Sequence, residues 1–203
     1  MITIYLIRHG ETLWNKKGRY QGIADVELSE KGILQADKIE DYFRDIKLDA
    51  VISSPLKRAV RTGQGVAVSH DLPLIIEENL HELDFGEWEG KNFKEIEKCW
   101  PGSMEKMFTQ TETFKFPNGE SFEECRKHAA ACIKKLISSG GNKTYAVVCH
   151  GVVLRMIICS FIDIPIARAW NLSLDNASIS VIKCFNNGLN VLDSLNGVSH
   201  LKE

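Results

Sequence analysis

Ile2-Thr3-Ile4-Tyr5-Leu6-Ile7-Arg8-His9-Gly10 opens the chain with a short apolar run, free of Gly and Pro, that stops on a guanidinium and an imidazole. Such a run reads as a buried strand. The same pattern recurs twice. Asp49-Ala50-Val51-Ile52-Ser53 leads into Ser54-Pro55-Leu56-Lys57-Arg58, and Thr144-Tyr145-Ala146-Val147-Val148-Cys149 leads into His150-Gly151. Three strands that each deliver polar or ionisable residues at their C-terminal ends point to an α/β sheet, where ligands bind in the crevice beyond those ends. Arg8, His9, Arg58 and His150 are therefore expected to converge. Two arginines and two histidines are a poor set for a divalent cation and a good one for a phosphate dianion.

Helical patterns separate these strands. Ser29 can cap a helix whose apolar positions Ala36, Ile39, Phe43 and Ile46 recur at spacings of three and four. Pro55 suits the opening turn of a second helix running toward Ser69, and Leu74-Ile75-Ile76 is another extended run. Ser121 and Glu124 have the spacing of a capping box ahead of the stripe Phe122, Cys125, Ala129, Cys132 and Leu136. An apolar helix is expected from Val152 to Phe161, and Asn186-Asn187-Gly188 marks a C-terminal hairpin. Regularity weakens from His81 to Pro117, where Gly86, Gly90, Pro101 and Gly102 interrupt and Trp88, Trp100 and Phe108 supply bulk. The predicted architecture is an α/β three-layer sandwich with a mainly parallel central sheet and helices on both faces. It forms one domain over residues 1–203, with a cap inserted at about 83–119.

Composition narrows the partners. The 203 residues include 25 Lys+Arg and 27 Asp+Glu, a net charge of −2 that argues against a nucleic-acid surface. A chain of this size buries roughly 70% of its unfolded surface, enough for a substantial core. The N-terminal apolar run is too short for a signal peptide and no stretch is long enough to span a membrane, so a cytoplasmic protein is expected. Six cysteines are then expected as free buried thiols, and neither they nor the six scattered histidines have zinc-site spacing, so no metal is expected.

The motifs also carry a family resemblance. Leu6-Ile7-Arg8-His9-Gly10-Glu11-Thr12 with Asn15, Ser53-Ser54-Pro55-Leu56-Lys57-Arg58-Ala59 with Thr62, Glu82-Leu83-Asp84-Phe85-Gly86-Glu87-Trp88-Glu89-Gly90, and His150-Gly151 follow in order along the chain. This series resembles the histidine phosphatase superfamily, the phosphoglycerate-mutase-like proteins, and runs more loosely on to His200-Leu201. The resemblance implies that His9 is the nucleophile and passes through a phosphohistidine. It implies that Arg8, Arg58 and His150 line the phosphate pocket, that Asn15 adds a polar contact, and that Glu82 gives a proton to the leaving oxygen. No cofactor is implied.

Physical chemistry fits those roles. Attack on phosphorus needs a neutral His9 whose other ring nitrogen is held by a carbonyl, and a charged His150 would add a donor to phosphate. Glu82 must be protonated to act as an acid, which apolar Leu83, Phe85 and Trp88 favour. Gly151 and Val152 open a helix whose free amides suit an anion. Gln21-Gly22 falls where the family has a small polar and Gly pair touching phosphate, so the resemblance also implies a backbone contact by Gly22. Thr12 caps or braces its loop. Trp88, Trp100 and Phe108 either shape the substrate end of the pocket or pack, and His81 is expected to be a bystander.

Phe85-Gly86-Glu87-Trp88-Glu89-Gly90-Lys91-Asn92-Phe93 departs from the Tyr-Gly and Leu-Asn-Lys segments typical of cofactor-dependent phosphoglycerate mutases. The chain looks more like the small phosphatase branch: α-ribazole-5′-phosphate phosphatases of cobalamin synthesis, metal-independent phosphoserine phosphatases and broad-specificity phosphatases. The leading expectation is a metal-independent phosphomonoesterase acting on a small phosphorylated metabolite, of α-ribazole phosphatase or broad-specificity type. A phosphoserine phosphatase, a mutase and an inactive phosphate-binding relative are the alternatives. The C-terminal hairpin is either an edge for a homodimer or an edge covered by a loop.

Overall fold

The computed structural model describes residues 1–202. Six strands, β1 (Ile2–Arg8), β2 (Ala50–Ser53), β3 (Leu74–Ile76), β4 (Lys143–Cys149), β5 (Ile179–Cys184) and β6 (Asn190–Gly197), form one sheet in the order β3-β2-β4-β1-β5-β6. The first four are parallel, β5 joins β1 antiparallel, and β6 closes the expected hairpin as the edge strand.

Alternation along the central strands decides which helices cover which face. Ile4 and Leu6 of β1, with Val147 and Cys149 of β4, bury against α6 (Phe122–Ser138) and α7 (Gly151–Phe161). Ile7, Ala146 and Val148 point the other way, into a second core with α2 (Glu30–Phe43) and α3 (Lys57–Ser69). The result is the expected three-layer α/β arrangement. Each aliphatic side chain buried in these layers contributes about 1.5–3 kcal/mol relative to exposure.

Two element boundaries differ from the sequence reading. α2 stops at Phe43, and Ile46 reaches the second core from the following turn, its amide donating to Phe43 O at 2.8 Å. α3 begins at Lys57, with Leu56 the extended residue ahead of it, so Pro55 lies outside the helix. The Lys57 amide instead donates to the Asp25 carboxylate at 2.8 Å, a remote anion at the positive end of the helix dipole.

The segment 83–119 holds a 3₁₀ turn at Gly86–Trp88 and two short helices, α4 (Phe93–Cys99) and α5 (Ser103–Thr109). Its Leu83, Trp88, Ile96, Met107 and Phe116 are fully buried in the same core as α6 and α7. Trp88 packs edge-on against Phe116 and Tyr20. It is therefore a packing residue. All six cysteines are free thiols; five are buried as expected, while Cys99 at the end of α4 is exposed. Among the described residues no helix is long and apolar enough to cross a membrane.

Candidate active site

The pairing of β1 with β4 sets Arg8 opposite Cys149, so the next residues, His9 and His150, emerge side by side with ring centroids 5.1 Å apart. β2 flanks β4 on the other side, and the Ser54 amide donates to Val148 O at 2.9 Å. Arg58 arrives from the first turn of α3. A cavity of about 240 Å³ opens at these strand ends. Of the expected site residues it is lined by Arg8, His9, Asn15, Gly22, Arg58, Glu82 and Gly151.

His9 is 2% exposed. Its Nδ1 lies 2.7 Å from Gly10 O, and because a carbonyl only accepts, the ring proton sits there and Nε2 keeps its lone pair. Burial, with the Arg58 and Arg8 cations beside it, holds the ring well below the ordinary histidine range, so it is neutral. Backbone bonds to Cys149 O and from the Ala177 amide, both 3.1 Å, fix its position. A close approach of loops supports it: a Cβ on Gly10 would lie 2.5 Å from Gly32 O.

Arg58 is 1% exposed and almost fully committed. Nη1 donates to Ala24 O and Nη2 to Gly22 O, both at 2.7 Å, and Nε donates to His150 Nδ1 at 3.2 Å. His150 Nε2 lies 2.7 Å from Ser54 Oγ. With Nδ1 accepting, Nε2 carries the proton. Burial and the neighbouring Arg58 push His150 well below the ordinary range. This corrects the expectation of a charged His150 offered to phosphate: the ring is neutral, has no exposed surface, and stands behind His9 as a support for Arg58.

Arg8 donates from Nη1 to Leu174 O at 2.6 Å, while its buried Nε has no protein partner among the described residues. Burial pushes Arg8 and Arg58 down to about 10, which leaves both charged at neutral pH. Asn15 Oδ1 receives Thr12 N and Asn176 Nδ2, each at 3.1 Å, which leaves its own NH₂ for the cavity. The Thr12 side chain caps the short helix α1 (Leu13–Lys16) and lies 2.8 Å from Gln21 Oε1.

Glu82 is 7% exposed and occupies the start of α7. Its carboxylate accepts from the amides of Leu83 (3.0 Å), Val152 (3.3 Å) and Val153 (3.3 Å). The Val152 amide expected to be free for an anion is therefore taken by a side chain. Gly151 lines the cavity directly beside Arg8.

Arg155, Arg19, Tyr20, Gln21 and Trp170 also line the cavity. Sequence reasoning missed all of these but Gln21. A signal existed for Arg155, the single charged residue in the apolar helix Gly151–Phe161, one turn after Gly151. Its Nη1 donates to Gly151 O at 2.9 Å, its Nε to Leu172 O at 3.1 Å, and its guanidinium covers the Trp170 ring at 5.2 Å. Asn176, which donates 3.2 Å to His9 O, lies in the Asn176-Ala177-Ser178 stretch through which the family resemblance runs loosely toward His200-Leu201, but sequence reasoning gave it no role.

Comparison with known proteins identifies the family and the fold. The family profile described as histidine phosphatase superfamily (branch 1) matches residues 4–196. Phosphoserine phosphatase 1 of Hydrogenobacter thermophilus is 32% identical over all of this chain and 96% of its own length. A protein of Erwinia tasmaniensis named "Probable phosphoglycerate mutase GpmB" is 32% identical over 89% of this chain and 84% of its own. Among solved structures, phosphoserine phosphatase of Entamoeba histolytica in complex with 3-phosphoglyceric acid superposes with a TM-score of 0.88 at 32% identity, covering both chains completely. The α-ribazole phosphatase of Shigella flexneri superposes with a TM-score of 0.85 at 29% identity over 96% of each chain. With the profile spanning nearly its whole length and a full-length relative at this identity, the chain belongs to the histidine phosphatase superfamily, branch 1.

Proposed function

We propose that this protein hydrolyses small phosphate monoesters through a phosphohistidine on His9, and that its preferred substrates carry a carboxylate near the phosphate, as phosphoserine does. The observation that carries the chemistry is a buried His9, its Nδ1 held by Gly10 O at 2.7 Å, lining one cavity with the Arg8 and Arg58 guanidiniums. The Nε2 lone pair attacks phosphorus, the P–O ester bond breaks, and the leaving oxygen takes a proton from Glu82. Arg8, Arg58 and the Asn15 amide stabilise the negative charge on the transferring group, with the Gly151 and Gly22 backbone beside it. Water, deprotonated by Glu82, then attacks the phosphohistidine; phosphate leaves and His9 is restored. These steps need only groups of the chain and water.

The substrate preference rests on Arg155. A guanidinium on the cavity wall beyond the His9 cluster, with two of its nitrogens tied to carbonyls, is held in place to meet a second anion. The phosphoserine phosphatase relatives support the same class. An aromatic base such as that of α-ribazole phosphate would need the Trp170 ring, which Arg155 covers and which Phe108 and Phe122 contact edge-on.

Steady-state kinetics with excess chelator test this across phosphoserine, 2- and 3-phosphoglycerate, α-ribazole 5′-phosphate and p-nitrophenyl phosphate. Phosphoserine or a phosphoglycerate is expected to give the highest kcat/KM. Arg155→Met is expected to lower that value about 10- to 100-fold, as loss of one charge-assisted pair implies, with little change for p-nitrophenyl phosphate. Preference for α-ribazole phosphate, or efficient interconversion of the phosphoglycerates with a bisphosphate primer, would overturn the assignment.

A further inference from the structure

Outside the cavity, the fold gathers three side chains that the phosphatase reading does not use. His81 precedes Glu82 in the loop after a 3₁₀ turn (Glu78–Leu80), Glu120 stands just before α6, and His128 lies on α6. One donor atom from each lies within 4.8 Å of the other two. The imidazoles stack with centroids 4.4 Å apart and an interplanar angle of 27°.

The orientation of the rings is set by the backbone. His81 Nδ1 lies 2.9 Å from Glu82 O, and His128 Nδ1 lies 2.7 Å from Asn79 O. Carbonyls only accept, so both Nδ1 atoms carry protons and Nε2 is the nitrogen left to meet a metal, which on His128 takes the place of the proton that the Glu120 carboxylate favours. An N–H given to a carbonyl while the other nitrogen stays open is the usual arrangement behind a metal-ligating histidine. His128 Nε2 is buried with no hydrogen-bond partner among the described residues, and Glu120 Oε2 lies 3.8 Å from it. That oxygen is itself held by the Asp84 amide at 3.0 Å.

We propose that His81, Glu120 and His128 form a binding site for a divalent transition-metal ion of the zinc class. Two imidazoles and one carboxylate suit a borderline ion, and the partly exposed position leaves water for a fourth ligand. Bonds of about 2.0–2.2 Å in tetrahedral geometry place donors about 3.3 Å apart, so the ion draws the three groups together by up to about 1.5 Å and turns the two imidazoles out of their stack until both Nε2 lone pairs meet it. The ion ties the loop carrying Glu82 to the start of α6. It lies outside the cavity wall, since none of the three lines that cavity, and the phosphoryl-transfer proposal stands or falls separately.

Metal-free full-length protein titrated with Co²⁺ tests the site through the visible absorption bands of tetrahedral cobalt, with Zn²⁺ displacement and the zinc-induced rise in Tm as second readouts. One ion per chain is expected. His128→Ala and Glu120→Gln are each expected to weaken binding tenfold or more and to abolish the Tm rise, whereas Cys99→Ser leaves both unchanged. Glu120→Gln keeps an acceptor for the Asp84 amide, so its loss of binding does not depend on disrupting the loop. Zinc anomalous scattering from wild-type crystals gives a readout without variants. A peak between the three residues is expected; a peak elsewhere, no bound ion, or uptake unchanged in both variants would show that the cluster is only a histidine–carboxylate pair.

Discussion

Arg58 Nε donates to His150 Nδ1 at 3.2 Å, and this contact decides what each residue can do. It forces the His150 proton onto Nε2, where Ser54 Oγ accepts it at 2.7 Å. Ser54→Ala leaves that N–H buried and unpaired, a cost of about 1–3 kcal/mol, or several degrees in Tm. His150→Ala releases one of three anchors of the Arg58 guanidinium and is expected to lower kcat/KM about 10²- to 10³-fold, the scale of one lost transition-state donor. An unchanged Tm in Ser54→Ala would contradict the tautomer.

Proton donation by Glu82 makes its effect depend on the leaving group. Glu82→Gln keeps acceptance from the Val152 or Val153 amide but removes the transferable proton. With phosphoserine, whose leaving alkoxide is strongly basic, kcat is expected to fall about 10²- to 10⁴-fold. With p-nitrophenyl phosphate, whose leaving group needs no proton, the first step should change little. Equal losses in the rate of phosphoenzyme formation with both substrates would assign Glu82 to binding or structure instead.

Gly22 connects Glu89 to Arg58. The Glu89 carboxylate receives the Ile23 and Ala24 amides at 2.8 and 3.0 Å, and this loop presents the Gly22 and Ala24 carbonyls to Arg58. Gly22 has φ +56°, and a Cβ there would meet Glu89 Oε1 at 1.9 Å. Gly22→Ala is expected to cost about 1–3 kcal/mol by strain and to lower kcat/KM through a displaced Arg58. Adding Glu89→Ala removes the collision, so the double variant should be more stable than the sum of the single losses predicts. Strict additivity in urea unfolding would contradict the contact.

Buried neutral His9 and His150 make stability fall in acid. Both are held well below their ordinary value of about 6.5, so above that pH they bind no extra protons on unfolding. As pH falls below about 6.5 the unfolded chain gains up to two protons that the folded one refuses. Their joint contribution to stability is lost at up to about 2.7 kcal/mol per pH unit until the folded values are reached. Urea unfolding between pH 7 and 5 reads this slope, and His9→Asn should reduce it by about half. Equal slopes in the two proteins would contradict a neutral, proton-refusing His9.

The sheet and the convergence of Arg8, His9 and Arg58 were legible because they depend on local signals: period-two burial, strand ends and short motifs. Contacts between distant segments were not. Nothing near Glu82 in sequence indicates that its carboxylate caps α7, or that Val152 thereby loses a free amide. The charge state of His150 follows from Arg58 and Ser54, which only the β2–β4 pairing brings beside it. The stacking of His81 on His128 depends likewise on how α6 packs against the loop before Glu82. Arg155 was readable in principle, as the lone charge in an apolar helix, but its direction toward the cavity was not.

The central claim is a phosphoryl group carried by His9. Rapid acid-free quenching of wild-type protein during turnover of ³²P-labelled phosphoserine, followed by peptide mapping, tests it most directly. The account predicts a label on His9 that is stable in base and labile in acid, formed and lost fast enough to lie on the catalytic path, and absent in His9→Ala together with turnover. No labelled intermediate, a label on another residue, or substantial turnover in His9→Ala would contradict it.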